Sequence, residues 1–269
     1  LGGEEALEAL QERALAHGIS LGVDVVPNHF GLDSRWLRDH PERFLSVASC
    51  PYPSYTFDGP DLSSDPDVGI YLEDHYYDRT DAAVVFKRVD RLTGEERFVY
   101  HGNDGTSTPW NDTAQLDYTR PDVRRAMADI IVGLARRFRV LRFDAAMTLT
   151  RLHYQRLWFP APGAGGAVPS RSEHGMSEEA FEELVQGEFW REVVERVAAE
   201  APDSLLVAEA FWLMEPFFVS ELGMDRVYNS ACMHMLRERE NALFQRLLRN
   251  TVARAPELLR RSVNFLTTP

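Results

Sequence analysis

Only two cysteines, Cys50 and Cys232, occur in 269 residues, too few for a disulfide framework, so free thiols are the expectation. No stretch approaches 18 consecutive apolar residues, which argues against a membrane-spanning helix. The residues after Leu1 lack the charged, apolar, small-residue order of a signal peptide, and a cytoplasmic location is the expectation. Positive charge is also in deficit. With 29 Lys and Arg against 42 Asp and Glu, the formal net charge is -13. That balance disfavours nucleic acid or an anionic membrane face as partner and leaves a neutral or cationic ligand.

What is present is the composition of one large globular core, 44% hydrophobic and 26% charged. Leu7, Leu10, Ala14 and Leu15 follow helical spacing up to Gly18, and a β-branched strand closed by Pro27 and Asn28 follows. From residue 31 to about 120 the pattern dissolves into Pro, Gly, Asp and aromatic residues. "AVVFKRV" and "ERFVYH" form a predicted hairpin there, around Leu92, Thr93 and Gly94. Regularity returns with a helix opened by Pro121, whose apolar face holds Val123, Met127, Ile130, Ile131, Leu134 and Phe138. A strand over 140–147, a helix from Ser177 through Val197, a strand over 205–211, a short strand at "DRVYN", a helix over 236–252 and a strand over 262–266 complete the order.

Helix and strand alternate, and the strands read as apolar runs, which is the signature of a parallel sheet covered by helices. Asn28, Asp144, Glu209 and Asn264 all lie toward strand ends. Four different strands contributing polar residues favour a (β/α)8 barrel over an open sheet with one switch point.

Arg142 and Asp144 stand two positions apart, so a strand would aim both the same way. If the strands of Asp144 and Glu209 are neighbours, their carboxyl groups fall about 5 Å apart, the spacing of retaining glycosidases. Arg142 favours the charged form of Asp144, which suits a nucleophile. Glu209, among Ala208, Ala210, Phe211 and Trp212, is placed to keep its proton, which suits an acid. The same pattern also admits a structural ion pair and a strand-end carboxylate.

"DVVPNH" (24–29), "RFD" (142–144) and the Ala208-Glu209 pair, in this order and at these distances, resemble the first three conserved regions of the α-amylase family, glycoside hydrolase family 13. The irregular insertion follows the first of them, where that family inserts its B domain. The resemblance implies an incomplete TIM barrel running from about strand 3 through strand 7. Residues 1–30 and 121–269 would belong to the barrel, and 31–120 to the B-domain-like insertion. It implies a retaining enzyme acting on α-glucans or malto-oligosaccharides, either hydrolase or transglycosylase. Asp144 would be the nucleophile, Glu209 the general acid/base and Arg142 the partner that orients Asp144. His29 would donate to a hydroxyl of the sugar beside the scissile bond. No cofactor is required. A structural calcium with Asn28 as ligand belongs to many family members, although strand-end capping also accounts for Asn28.

Three departures from the family pattern stand out. Val140 replaces a glycine four residues before the nucleophile, and Met147 and Thr148 replace a Lys-His pair. After Phe265, Leu266, Thr267 and Thr268, Pro269 stands where the family has His, and the third catalytic acid would come next. On this mapping the chain is a fragment, expected to be inactive and to aggregate in isolation because its edge strands are unpaired. The degraded fourth region gives the rival reading its footing, an inactive family member that binds carbohydrate or serves as a scaffold.

Overall fold

The computed structural model describes residues 2–78, 83–105, 109–211 and 213–265. Trp212 and the Leu266 to Pro269 segment lie outside the described residues. The chain divides into two compact units, one of residues 1–26, 126–147 and 188–269, the other of residues 27–125 and 148–187.

The first unit is built on a parallel sheet of five strands, in the order Gly22–Val25, Val140–Phe143, Leu205–Ala208, Arg226–Tyr228 and Ser262–Val263. Spatial order equals chain order, and each connection between consecutive members is long enough to carry a crossover helix. Phe143 pairs with Val25 on one side and with Ala208 on the other, so the carboxyl ends of the first three strands are level. The strands alternate in burial as the pleat requires. Leu141 and Phe143 are fully buried, with Phe143 4.8 Å from the Trp190 ring of the Phe189–Glu200 helix, while Val140 and Arg142 face the opposite side.

Val140, the departure from the family glycine, is accommodated from next door. Its register partner is Gly22, where an added Cβ would come within 3.2 Å of the Val140 Cβ.

The second unit holds an antiparallel sheet in the order Ser46–Val47, Glu96–Tyr100, Val85–Asp90 and Val68–Tyr71, and a separate pairing of His29–Gly31 with Thr113–Gln115. The expected hairpin is there. Asp90 Oδ1 accepts from the Leu92 and Thr93 amides, and Gly94 at φ +75 closes the turn. Residues 148–187 pack with this sheet: Tyr154 Oη donates to Leu116 O and accepts from the Tyr118 amide, and Arg171 lies over Tyr100.

The first helix, Gly3–Ala16, stops before Gly18 at φ +70, as expected; Ala14 is buried, and Leu10 and Leu15 are exposed. Two expectations are corrected. The helix expected from Ser177 through Val197 is two helices, Glu178–Leu184 and Phe189–Glu200, because Gly187 takes φ +69 between them. The helix over 236–252 is likewise divided into Ser230–Arg237 and Asn241–Arg254, with Arg239 at φ +59 in the break. Side-chain periodicity runs on through a single left-handed residue, whereas the backbone cannot. On the Pro121–Ala135 helix, Val123, Met127 and Ile131 are buried and Ile130 is exposed.

No helix among the described residues is long and apolar enough to cross a membrane. Cys50 and Cys232 are free thiols.

Candidate active site

Asp144 and Glu209 are each the first residue past the end of a parallel strand, and those strands are adjacent and in register. Backbone hydrogen bonds continue the ladder beyond the strand ends: the Asp144 amide donates to Val25 O at 3.0 Å and the Glu209 amide to Phe143 O at 3.0 Å. The two carboxylates are therefore fixed one strand spacing apart, roughly 5 Å between backbones.

Arg142 joins them. Its Nη1 donates to Asp144 Oδ1 at 2.8 Å and its Nη2 lies 3.0 Å from Glu209 Oε2. Its Nε donates to the Tyr228 hydroxyl at 3.1 Å, and the guanidinium sits over the Tyr228 ring, 5.3 Å from its centroid. Burial works against the Arg142 charge, but Glu209, Tyr228 and Asp144 together hold it above the usual arginine range.

The arginine thus serves both acids, and what distinguishes them is exposure. The Asp144 side chain is 35% exposed and that of Glu209 only 10%. Burial pushes the Glu209 carboxyl above the ordinary glutamate range; the Ala145 amide and Arg142 pull it back, and the neighbouring Asp144 adds to the rise. A buried carboxyl that tends to keep its proton beside a more open carboxylate is what acid catalysis at one atom and attack at another require.

The turn after Asp144 completes the site. Ala145 takes φ +41, left-handed for a residue with a Cβ, and so directs its amide to Glu209 Oε2 at 3.0 Å. The next amide, Ala146, donates to Glu209 O at 2.9 Å, and Ala146 O accepts from the buried Trp190 Nε1 at 2.7 Å. Met147 and Thr148, at the positions of the family's Lys-His pair, are buried.

His29 and Asn28 belong to the second unit. The His29 ring lies against Trp110, 5.0 Å between centroids. Gly102 makes room for it, since a Cβ there would come within 2.7 Å of His29 Nδ1. Asn28 is buried and pairs reciprocally with Gln115: its Nδ2 donates to Gln115 Oε1 at 3.1 Å, and its Oδ1 accepts from Gln115 Nε2 at 3.0 Å. That oxygen is engaged by Gln115, and no group of three or more His, Cys, Asp or Glu among the described residues is arranged to hold a metal.

Tyr228, Ala145, Gly102 and Gln115 carry no motif of their own. Tyr228 meets Arg142 from a strand 86 residues downstream. The others act through backbone conformation, an absent side chain or a partner 87 residues away.

No family model matches the chain, and no curated protein matches it. Solved structures do. The ligand-free cyclic α-maltosyl-(1→6)-maltose hydrolase from Arthrobacter globiformis superimposes with a TM-score of 0.56 at 16% identity, over 99% of this chain and 46% of that one. The α-amylase from H. orenii gives 0.54 at 16% identity, over 98% and 45%. The α-amylase from Lactobacillus plantarum gives 0.50 at 17% identity, over 94% and 43%. The chain spans less than half the length of each of these structures. At such identities the likeness is one of architecture, and the chain has the fold found in the catalytic domains of α-amylases and related glycoside hydrolases.

Proposed function

We propose that this chain is part of the (β/α)8 barrel of a retaining α-glycosidase or transglycosylase of the α-amylase family, acting on α-glucans or malto-oligosaccharides. The observation that carries the reading is Arg142 bridging Asp144 and Glu209 on adjacent, in-register strands. The three sequence regions that resemble the family fall at the ends of three neighbouring strands. The proposed substrate class is that of two solved neighbours, an α-amylase and a hydrolase of cyclic α-maltosyl-(1→6)-maltose.

The chemistry follows from the placement of the protons. Glu209, whose affinity for a proton burial raises, gives its proton to the glycosidic oxygen as the bond to the anomeric carbon breaks. A carboxylate oxygen of Asp144, oriented by the hydrogen bond from Arg142, bonds to that carbon and forms a β-glycosyl-enzyme. Glu209, now the base, takes a proton from water or a sugar hydroxyl, whose oxygen displaces Asp144 and restores the α configuration. His29 would donate to a hydroxyl of the bound sugar. Arg142 orients Asp144 through the Nη1 hydrogen bond.

The test is stereochemical. Proton NMR of the first product released from an aryl α-maltoside by the full-length protein is expected to show the α-anomer. Initial release of the β-anomer would refute a double displacement at Asp144.

A further inference from the structure

An arginine guanidinium is a planar fork of five N–H donors and binds a single carboxylate best through two parallel bonds. Arg142 does not do this. It divides Nη1 and Nη2 between two carboxylates and gives Nε to Tyr228. A split arrangement of that kind needs a third constraint, or the fork turns toward one acid.

The sheet order shows what the constraint opposes. Arg142 lies on the second strand; Asp24, its register partner on the first, has Oδ1 3.8 Å from Nε. Glu209 follows the third strand and Tyr228 ends the fourth, so both lie on the other side of Arg142. Asp24 and Tyr228 compete for the same N–H from opposite directions. Tyr228 holds it at 3.1 Å with its ring under the guanidinium, and that ring is backed by Phe265, 4.5 Å away.

We propose that Tyr228 is a positioning residue that holds Arg142 away from Asp24, so that one guanidinium serves Asp144 and Glu209 together. Without the hydroxyl, Nε turns to Asp24 and Nη2 is drawn off Glu209. The charged or titratable groups facing Glu209 are then Asp144 and a retreating Arg142, with Asp24 beyond it. The inference rests on the glycosidase reading for its catalytic meaning, but its geometry can be tested without it.

In the full-length protein, Tyr228→Phe removes the hydroxyl and keeps the ring. The Glu209 carboxyl is titrated by infrared difference spectroscopy, with Glu209→Gln identifying its band. The midpoint is expected to move to higher pH in Tyr228→Phe. Adding Asp24→Asn is expected to lower that midpoint by more than the same change does in the wild-type background, as competition for one donor requires. On an aryl α-glucoside, kcat is expected to fall roughly tenfold with KM changed less than about twofold, and the basic limb of the pH profile to move with the titration. An unchanged Glu209 midpoint in a folded Tyr228→Phe protein, or additive effects of the two substitutions, would overturn the role given to Tyr228 whatever the activity. A wild-type protein inactive on every α-glucoside would instead sink the glycosidase reading, leaving the titration to decide on Tyr228.

Discussion

Glu209 accepts a hydrogen bond from the backbone amide of Ala145, the residue next to Asp144, across one strand spacing. The carboxylate on one strand is thereby oriented by the turn that follows the other. That turn exists only because Ala145 takes φ +41.

A β-branched residue tolerates this conformation far less than alanine, and glycine adopts it freely. Ala145→Val is expected to lower stability by roughly 1 to 3 kcal/mol in urea unfolding, and to reduce kcat by displacing the amide from Glu209. Ala145→Gly keeps the amide and relieves the strain, so it should remain active. Equal behaviour of the two variants would show that the left-handed turn is not what orients Glu209.

The raised Glu209 carboxyl has a consequence for stability. A group whose native value lies above its unfolded value stabilises the fold below the unfolded value and loses that contribution as pH rises through the native one. The ordinary glutamate value is 4.5, and burial lifts Glu209 above it. The Glu209→Gln protein, which stays neutral, is expected to be more stable than wild type at pH 7 and to lose that advantage as pH falls below 4.5. Urea unfolding at both pH values measures the difference, and a variant less stable at pH 7 than at acid pH, relative to wild type, would contradict the assignment.

Gly102 has no side chain because His29 occupies the space. A Cβ would come within 2.7 Å of His29 Nδ1 and 2.9 Å of Thr113 Oγ1. Gly102→Ala is expected to destabilise the protein by about 1 to 3 kcal/mol, the usual range for overpacking, and to raise KM more than His29→Ala does alone if Trp110 moves with the ring. A Gly102→Ala protein with wild-type stability and KM would show that His29 yields without consequence.

Much of this was legible in the sequence, and the reasons differ by element. The Arg142-Asp144 pair could be read from period-two alternation, and the direct 2.8 Å contact is its outcome. The parallel order of the strands followed from their alternation with helices and from their continuous apolar runs. The two divided helices were not legible, because one left-handed residue at Gly187 or Arg239 leaves the apolar spacing intact. That Arg142 is shared between both acids could not be read either. It depends on side-chain length and on Tyr228, 86 residues downstream. The tolerance of Val140 needed the register that sets Gly22 beside it.

The central claim is that Asp144 attacks an anomeric carbon. The most direct measurement incubates the full-length protein with a 5-fluoro-α-glycosyl fluoride, glucosyl and maltosyl in turn, and maps the adduct by peptide mass spectrometry. A glycosyl label on the peptide carrying Asp144, absent in Asp144→Asn, is the predicted result. A folded, unlabelled protein, or a label on another carboxylate, would contradict the account and favour a carbohydrate-binding protein built on the same fold.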